Sequence, residues 1–252
     1  MDQKQTAARR FLSGIGQFVL IIAIVVFTKT VAAEAYYVPS GSMQPTLLIG
    51  DELMVSKFSY GYSRYSLPIA LGPSSPERLF GRMPERGDVV VFRLPSDPSQ
   101  TYVKRVIGLP GDRVQMRDGR LWINGTMLPV RHDGNGPVEM EDGGSEQAAL
   151  NIETLPGGRE HPIYKFDGVG GLDNTQEFVV TPGNVFVMGD NRDDSADSRL
   201  APQDGGVGLV PVENLVGRVD VVLGSWDLGV ARKPVWDWPS GLRLSRFFSP
   251  VK

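Results

Sequence analysis

The sequence predicts a mostly β protein: an N-terminal transmembrane helix followed by a coiled, partly closed antiparallel β-sheet domain. Three observations carry this. One uncharged apolar stretch stands near the N-terminus, and the remainder of the 252 residues breaks into short apolar runs bounded by Gly, Pro or Asp. Glycine occurs 30 times and proline 19 times, which suits many turns. After the first stretch, no long segment repeats its apolar residues at helical spacing.

The apolar stretch is "FLSGIGQFVLIIAIVVFT", residues 11–28. As a helix it spans about 27 Å, close to the roughly 30 Å hydrocarbon core of a bilayer. Lys4, Arg9 and Arg10 precede it, so the positive-inside rule keeps residues 1–10 cytoplasmic. The anchor then covers 11–31, with Lys29 reaching the interface, and residues 32–252 lie outside. Ala33-Glu34-Ala35 is a small-x-small site, so a cleavable signal peptide is the alternative. The length of the run, and Lys29 between it and that site, favour a retained anchor.

Strands follow in order at 51–58, 87–94, 102–108, 112–117, 120–128, 176–181, 184–190 and 214–226. Asp118-Gly119 reads as a tight hairpin and Asn124-Gly125 as a second turn. Residues 59–86 hold too many tyrosines and leucines for a solvated loop and read either as a covered loop or as a membrane-facing patch. Residues 131–175 are rich in Gly and Glu and read as an insertion in the β body. The tail mixes Trp236, Trp238, Phe247 and Phe248 with arginines, which suits ordinary packing better than interfacial contact.

Composition narrows the chemistry. A net charge of −3 argues against a general nucleic-acid binder. With no cysteine, disulfides, thiolate zinc sites and cysteine nucleophiles are excluded. His132 and His161 stand apart in unpatterned sequence and read as surface residues rather than metal ligands. No cofactor is implied. A hydrolase of this composition needs a serine or threonine nucleophile and a base other than histidine. A lysine serves if burial removes its charge.

Two segments supply such groups. In "YVPSGSMQPTL" (37–47) a Ser-Gly-Ser turn stands between Pro39 and Pro45, which fix the chain locally. In "TYVKRVIGLPGDRV" (101–114) alternation puts Tyr102, Lys104 and Val106 on one face, and Val103, Arg105 and Ile107 on the other. Lys104 then shares apolar surroundings, although a strand lysine by itself reads far more readily as a solvated edge residue. A third segment, "MGDNRDDSADSR" (188–199), packs acids and arginines after an apolar strand. As a calcium loop it fails at Ser198, where glycine is needed, and at Asp204, where glutamate is needed. The other reading is a rigid polar turn in which Asp190, Arg192, Asp197 and Arg199 satisfy one another and hold Ser195 against a catalytic group.

Together, "PSGSMQPTL", "RGDVVVF", "KRVIGLPGD" and "GDNRDDSADSR", in that order after an apolar N-terminal helix, resemble the sequence boxes of bacterial signal peptidase I. "GLVPVENLVGRV" (208–219) resembles a strand near the end of that family's domain. The resemblance implies a Ser–Lys endopeptidase of the inner membrane, with a signal peptidase I type fold, that removes signal peptides from exported preproteins after small residues at −1 and −3. Its partners are those preproteins and the lipid bilayer. Carried over by position, Ser42 is the nucleophile and Lys104 the general base. Ser40 is a side-chain oxyanion donor beside the Ser42 N–H, and Ser195 is the serine that hydrogen-bonds the lysine. Val38, Met43, Leu47, Tyr102 and Val103 correspond to substrate-pocket positions. Some relatives carry two membrane helices before the Ser-Gly-Ser box, and this chain has one apolar stretch. The rival reading is a non-catalytic exported β-domain that binds or scaffolds near the membrane, with the boxes kept for structure.

Overall fold

The computed structural model describes residues 14–22, 32–66, 78–140, 144–168, 170–232 and 234–251. Residues 14–22 are helical, with their apolar side chains exposed. The remainder of the 11–31 anchor lies outside the described residues. Among the described residues no helix is long and apolar enough to cross a membrane.

The body consists of fifteen strands: β1 Ala33–Tyr37, β2 Asp51–Ser56, β3 Val89–Leu94, β4 Asp97–Gly108, β5 Arg113–Arg117, β6 Arg120–Ile123, β7 Thr126–Met127, β8 Val130–Glu139, β9 Ser145–Thr154, β10 Glu160–Lys165, β11 Phe178–Val179, β12 Asn184–Met188, β13 Val210–Pro211, β14 Leu215–Ser225 and β15 Ser249–Pro250. The largest sheet runs β1-β2-β14-β3-β4-β12-β13, with β15 paired to β14. All its pairings are antiparallel. Two smaller sheets, β11-β5-β6-β7 and β10-β9-β8, accompany it. The expected partial closure is not found: β1 and β13 are two separate ends, and no sheet closes on itself among the described residues. Register shifts in β14 against β2 and β3, and in β12 against β4, bend the large sheet without bringing its ends together.

The sequence explains the centre well. In β3, Val89 and Val91 pack into one core cluster while Val90 and Phe92 pack into another on the opposite face. A strand covered on both faces reads as a continuous apolar run, and "VVVF" is one. The first cluster is closed from above by Val38, Met43 and Leu47, the apolar residues around the Ser-Gly-Ser turn. Both hairpin turns stand where the sequence puts them, with positive φ at Asp118 and Gly119 and at Asn124 and Gly125.

The 131–175 region departs from its expected plainness. Most of it folds as the β8–β10 sheet, which has only a small cluster of its own around Val138, Ala148 and Tyr164. Few positions are buried, so its alternation is faint in the sequence. Of the 59–86 segment, 67–77 lies outside the described residues. The rest is fastened by Arg78, which donates to the carbonyls of Tyr60, Gly61, Val212 and Leu215. The tail packs through its arginines: Arg243 donates to the Ile49 carbonyl at 2.8 Å, and Arg246 pairs with buried Asp51. Trp236, Leu244 and Phe248 are left exposed.

Candidate active site

The Ser-Gly-Ser turn is built by local hydrogen bonds and held from outside. The Gln44 N–H donates to the Gly41 carbonyl at 3.0 Å, and the Leu47 N–H to that of Met43 at 2.9 Å. Asn191, in the polar turn, donates its backbone N–H to the Ser42 carbonyl at 3.1 Å and its side-chain amide to Gly41. The approach of the two turns needs glycine. A Cβ on Gly189 would lie 2.4 Å from the Ser42 carbonyl oxygen, so any side chain there would push the Ser-Gly-Ser turn away.

Lys104 arrives from β4, where its backbone pairs with Val90 of β3. The side chain is 3% exposed, and its Nζ donates to Ser42 Oγ at 2.7 Å. Burial pushes its ammonium down to about 8 from the usual 10.5. Asp197, Asp190 and Asp194 pull it back up, and Arg199 pulls it further down. The result is an amine that gives up its proton near neutral pH while in contact with a serine hydroxyl.

The polar turn is not self-contained, which corrects the expectation that its four charges satisfy one another. Asp197 and Arg199 do pair, at 2.8 Å. Asp190 instead receives two bonds from Arg105, the neighbour of Lys104, at 2.8 and 2.7 Å, and one from Thr46 of the serine turn. Arg192 reaches into the small sheet and pairs with Glu153 of β9, both its terminal nitrogens engaged. All of the charged groups here are buried. Burial by itself would raise the Asp190 carboxyl, but Arg105 outweighs it and holds that group far below the carboxylate range. Burial likewise opposes but does not prevent a lowering of Asp197 by Arg199, and of Glu153 by Arg192 and His161. His161 is a second correction. It is 1% exposed rather than at the surface, and its two ring nitrogens stand 3.3 Å from Glu153 and from Asp190.

A cavity of about 460 Å³ opens over Ser42 and Lys104. Of the residues singled out in the sequence, Ser40, Ser42, Lys104, Tyr102 and Val103 line it. Val38, Met43 and Leu47 do not: they point down into the core beneath the turn, where packing required apolar groups. Their places in the wall are taken by Leu53, Val91 and Tyr36. Leu53 and Val91 lie on predicted strands but carry no signal that separates wall from core. Ser195 is buried, yet its Oγ has no hydrogen-bond partner among the described residues, so the bond to Lys104 implied by the resemblance is not formed here. Its hydroxyl is instead packed over the bare Cα of Gly189, where a Cβ would lie 2.3 Å from Ser195 Oγ.

Known proteins resemble this chain over most of its length. Residues 11–226 match the family described as signal peptidase, peptidase S26. A signal peptidase I of Rickettsia massiliae is 38% identical, over 92% of this chain and 90% of its own. One from Rickettsia bellii is 36% identical, over 98% of this chain and 86% of its own. A crystal structure of a signal peptidase I from Enterococcus faecalis is similar to 55% of this chain and 97% of its own, with 27% identity and a TM-score of 0.32. The chain is a member of the S26 signal peptidase family.

Proposed function

We propose that this chain is a membrane-anchored serine endopeptidase that removes signal peptides from exported preproteins, with Ser42 as nucleophile and Lys104 as general base. The observation that carries the reading is the 2.7 Å contact between a buried lysine amine and a serine hydroxyl at the floor of an open cavity. Neutral Lys104 takes the Ser42 proton as Oγ attacks the scissile carbonyl. Negative charge then develops on the carbonyl oxygen, and the Ser40 hydroxyl and Ser42 N–H are the donors for it. Lys104 returns the proton to the departing amine, which becomes the N-terminus of the mature protein. A water, deprotonated by the same lysine, hydrolyses the acyl-enzyme and frees Ser42.

Specificity follows from the walls. Leu53, Val91 and Val103 give the cavity an apolar lining that suits small residues before the cut. The substrate lies extended, because two strand edges border the cavity. β1 is the end of its sheet, and the pairing of β4 with β12 begins only at Arg105, past Thr101–Val103. An incoming strand would pair with that backbone. The exposed apolar helix at 14–22 and the uncharged 11–28 run support an anchor in the bacterial inner membrane with a cytoplasmic N-terminus. Anchoring would keep the site at the surface where the substrate's own apolar segment resides. The test is incubation of the full chain in detergent with a preprotein carrying an Ala-x-Ala site. The parent should release the mature protein, and Ser42→Ala and Lys104→Ala should not. Unimpaired processing by either variant would refute the assignment.

A further inference from the structure

Gln44 is fully buried two residues after Ser42, and its side-chain amide pairs with the backbone of Glu139, the last residue of β8. Nε2 donates to the Glu139 carbonyl at 2.8 Å, and the Glu139 N–H donates to Oε1 at 2.9 Å. A group that donates and accepts side by side in this way reproduces the pairing of a neighbouring strand, so Gln44 occupies a strand position on the open edge of β8. On the other side β8 pairs with β9, Glu139 standing opposite Ser145. Only a primary amide of this length supplies both roles. A carboxylate accepts without donating, and an aliphatic chain does neither. The same pair accounts for Gly41, where a Cβ would lie 2.5 Å from Gln44 Nε2 and 3.1 Å from the Glu139 carbonyl oxygen.

Ser42 therefore sits between two fastened sides. Asn191 holds the carbonyls of Gly41 and Ser42 from the polar turn, and Gln44 holds the opposite side to β8. β8 is itself tied down, since the Glu139 carboxylate receives Arg243 at 2.6 Å and Arg243 also grips the Ile49 carbonyl. No residue of β8–β10 is among those that line the cavity. We propose that Gln44 is a positioning residue for the cleavage reaction, through which the β8–β10 sheet sets Ser42 Oγ against Lys104 Nζ without touching substrate. The proposal rests on Ser42 being the nucleophile. A misplacement of about 1 Å between reacting atoms costs on the order of 10²-fold in rate. Loss of the clamp should therefore lower kcat and leave KM alone.

The experiment compares Gln44→Leu, Gln44→Glu and Ser42→Ala with the parent, as full chains in detergent, on an Ala-x-Ala preprotein. Melting curves and circular dichroism fix a temperature at which each variant is folded. The expected result for both Gln44 variants is a kcat lower by about 10- to 100-fold with KM within about twofold, since the interaction lost acts on the reacting groups rather than on binding. The pH at which activity rises should not move, because Lys104 remains buried. A clamp that merely stabilised the fold would lower the melting temperature and leave kcat of folded enzyme within twofold, and that result overturns the proposal. Activity in Ser42→Ala would instead overturn the assignment beneath it. Should both Gln44 variants fail to fold, amide exchange in the parent decides. The Glu139 N–H should exchange as slowly as ladder amides of β3, and exchange at the rate of an open loop would show that the clamp is not held.

Discussion

Replacing Lys104 with methionine removes the charge at the centre of the site and keeps an unbranched side chain one atom shorter. Burial pushes the Lys104 ammonium down to about 8 from 10.5, so the folded protein favours the neutral amine while the unfolded chain keeps the proton to the ordinary value. The depression corresponds to roughly 3 kcal/mol of folding free energy, at about 1.4 kcal/mol per pH unit. Its sign is a penalty. It is fully present below pH about 8, shrinks as pH rises from about 8 to about 10.5, and is absent above that. Methionine abolishes it and also forfeits the hydrogen bond to Ser42, worth about 1 kcal/mol. Lys104→Met should therefore be inactive yet more stable than the parent at pH 7 by roughly 2 kcal/mol, with the advantage gone by about pH 10. Urea unfolding in detergent, followed by tryptophan fluorescence at both pH values, measures this. A variant less stable than the parent at pH 7, or an advantage that does not narrow with pH, would refute the reasoning that burial penalises the charged amine.

The same depression predicts that kcat/KM of the parent rises about tenfold from pH 7 to a plateau above pH 9, and that Lys104→Arg is inactive although it keeps the charge. A flat profile between pH 6 and 9 would point to another base. Ser42→Ala should leave essentially no cleavage, whereas Ser40→Ala should lower kcat by about 10² to 10³ with KM little changed, and the reverse ranking in steady-state kinetics would exchange their roles. Asp190→Asn leaves the Arg105 guanidinium buried without its counter-charge and should cost about 3–5 kcal/mol in chemical denaturation. The Ala35–Tyr36 bond lies inside β1, paired to Met54 and Leu53 of β2, and Tyr36 forms a wall of its own chain's cavity. Clipping there should occur only between molecules, at a rate second order in enzyme. It should be faster in Glu34→Ala, which unfastens β1 from buried Lys57. A per-molecule rate that survives dilution, read by N-terminal sequencing of the product, would show cleavage within one chain.

What the sequence determined by itself is what local chemistry encodes. The strands of the large sheet are legible because each buries apolar residues at fixed spacing, and β3, covered on both faces, is legible as an unbroken run. The Asp118-Gly119 and Asn124-Gly125 turns are legible because few residues accept a positive φ. Ser42 and Lys104 are singled out by the resemblance of their two boxes to signal peptidase I, and the local pattern is only compatible with it. Proline brackets the serine turn, and alternation along β4 surrounds the lysine with apolar groups. Only the tertiary structure decided the rest. Val38, Met43 and Leu47 sit as near the serine in sequence as any wall residue would, but the turn faces two ways, and burial under it is indistinguishable from exposure above it in a list of apolar residues. The partners of Asp190 and Arg192 lie 85 and 39 residues away, in β4 and β9. Charges that meet only when three sheets are assembled leave no periodic trace, which is why Glu153, His161 and Gln44 are silent in the sequence. The open ends of the large sheet are likewise a matter of assembly. Whether β1 meets β13 depends on accumulated bend and twist across the intervening strands, and no single strand records it.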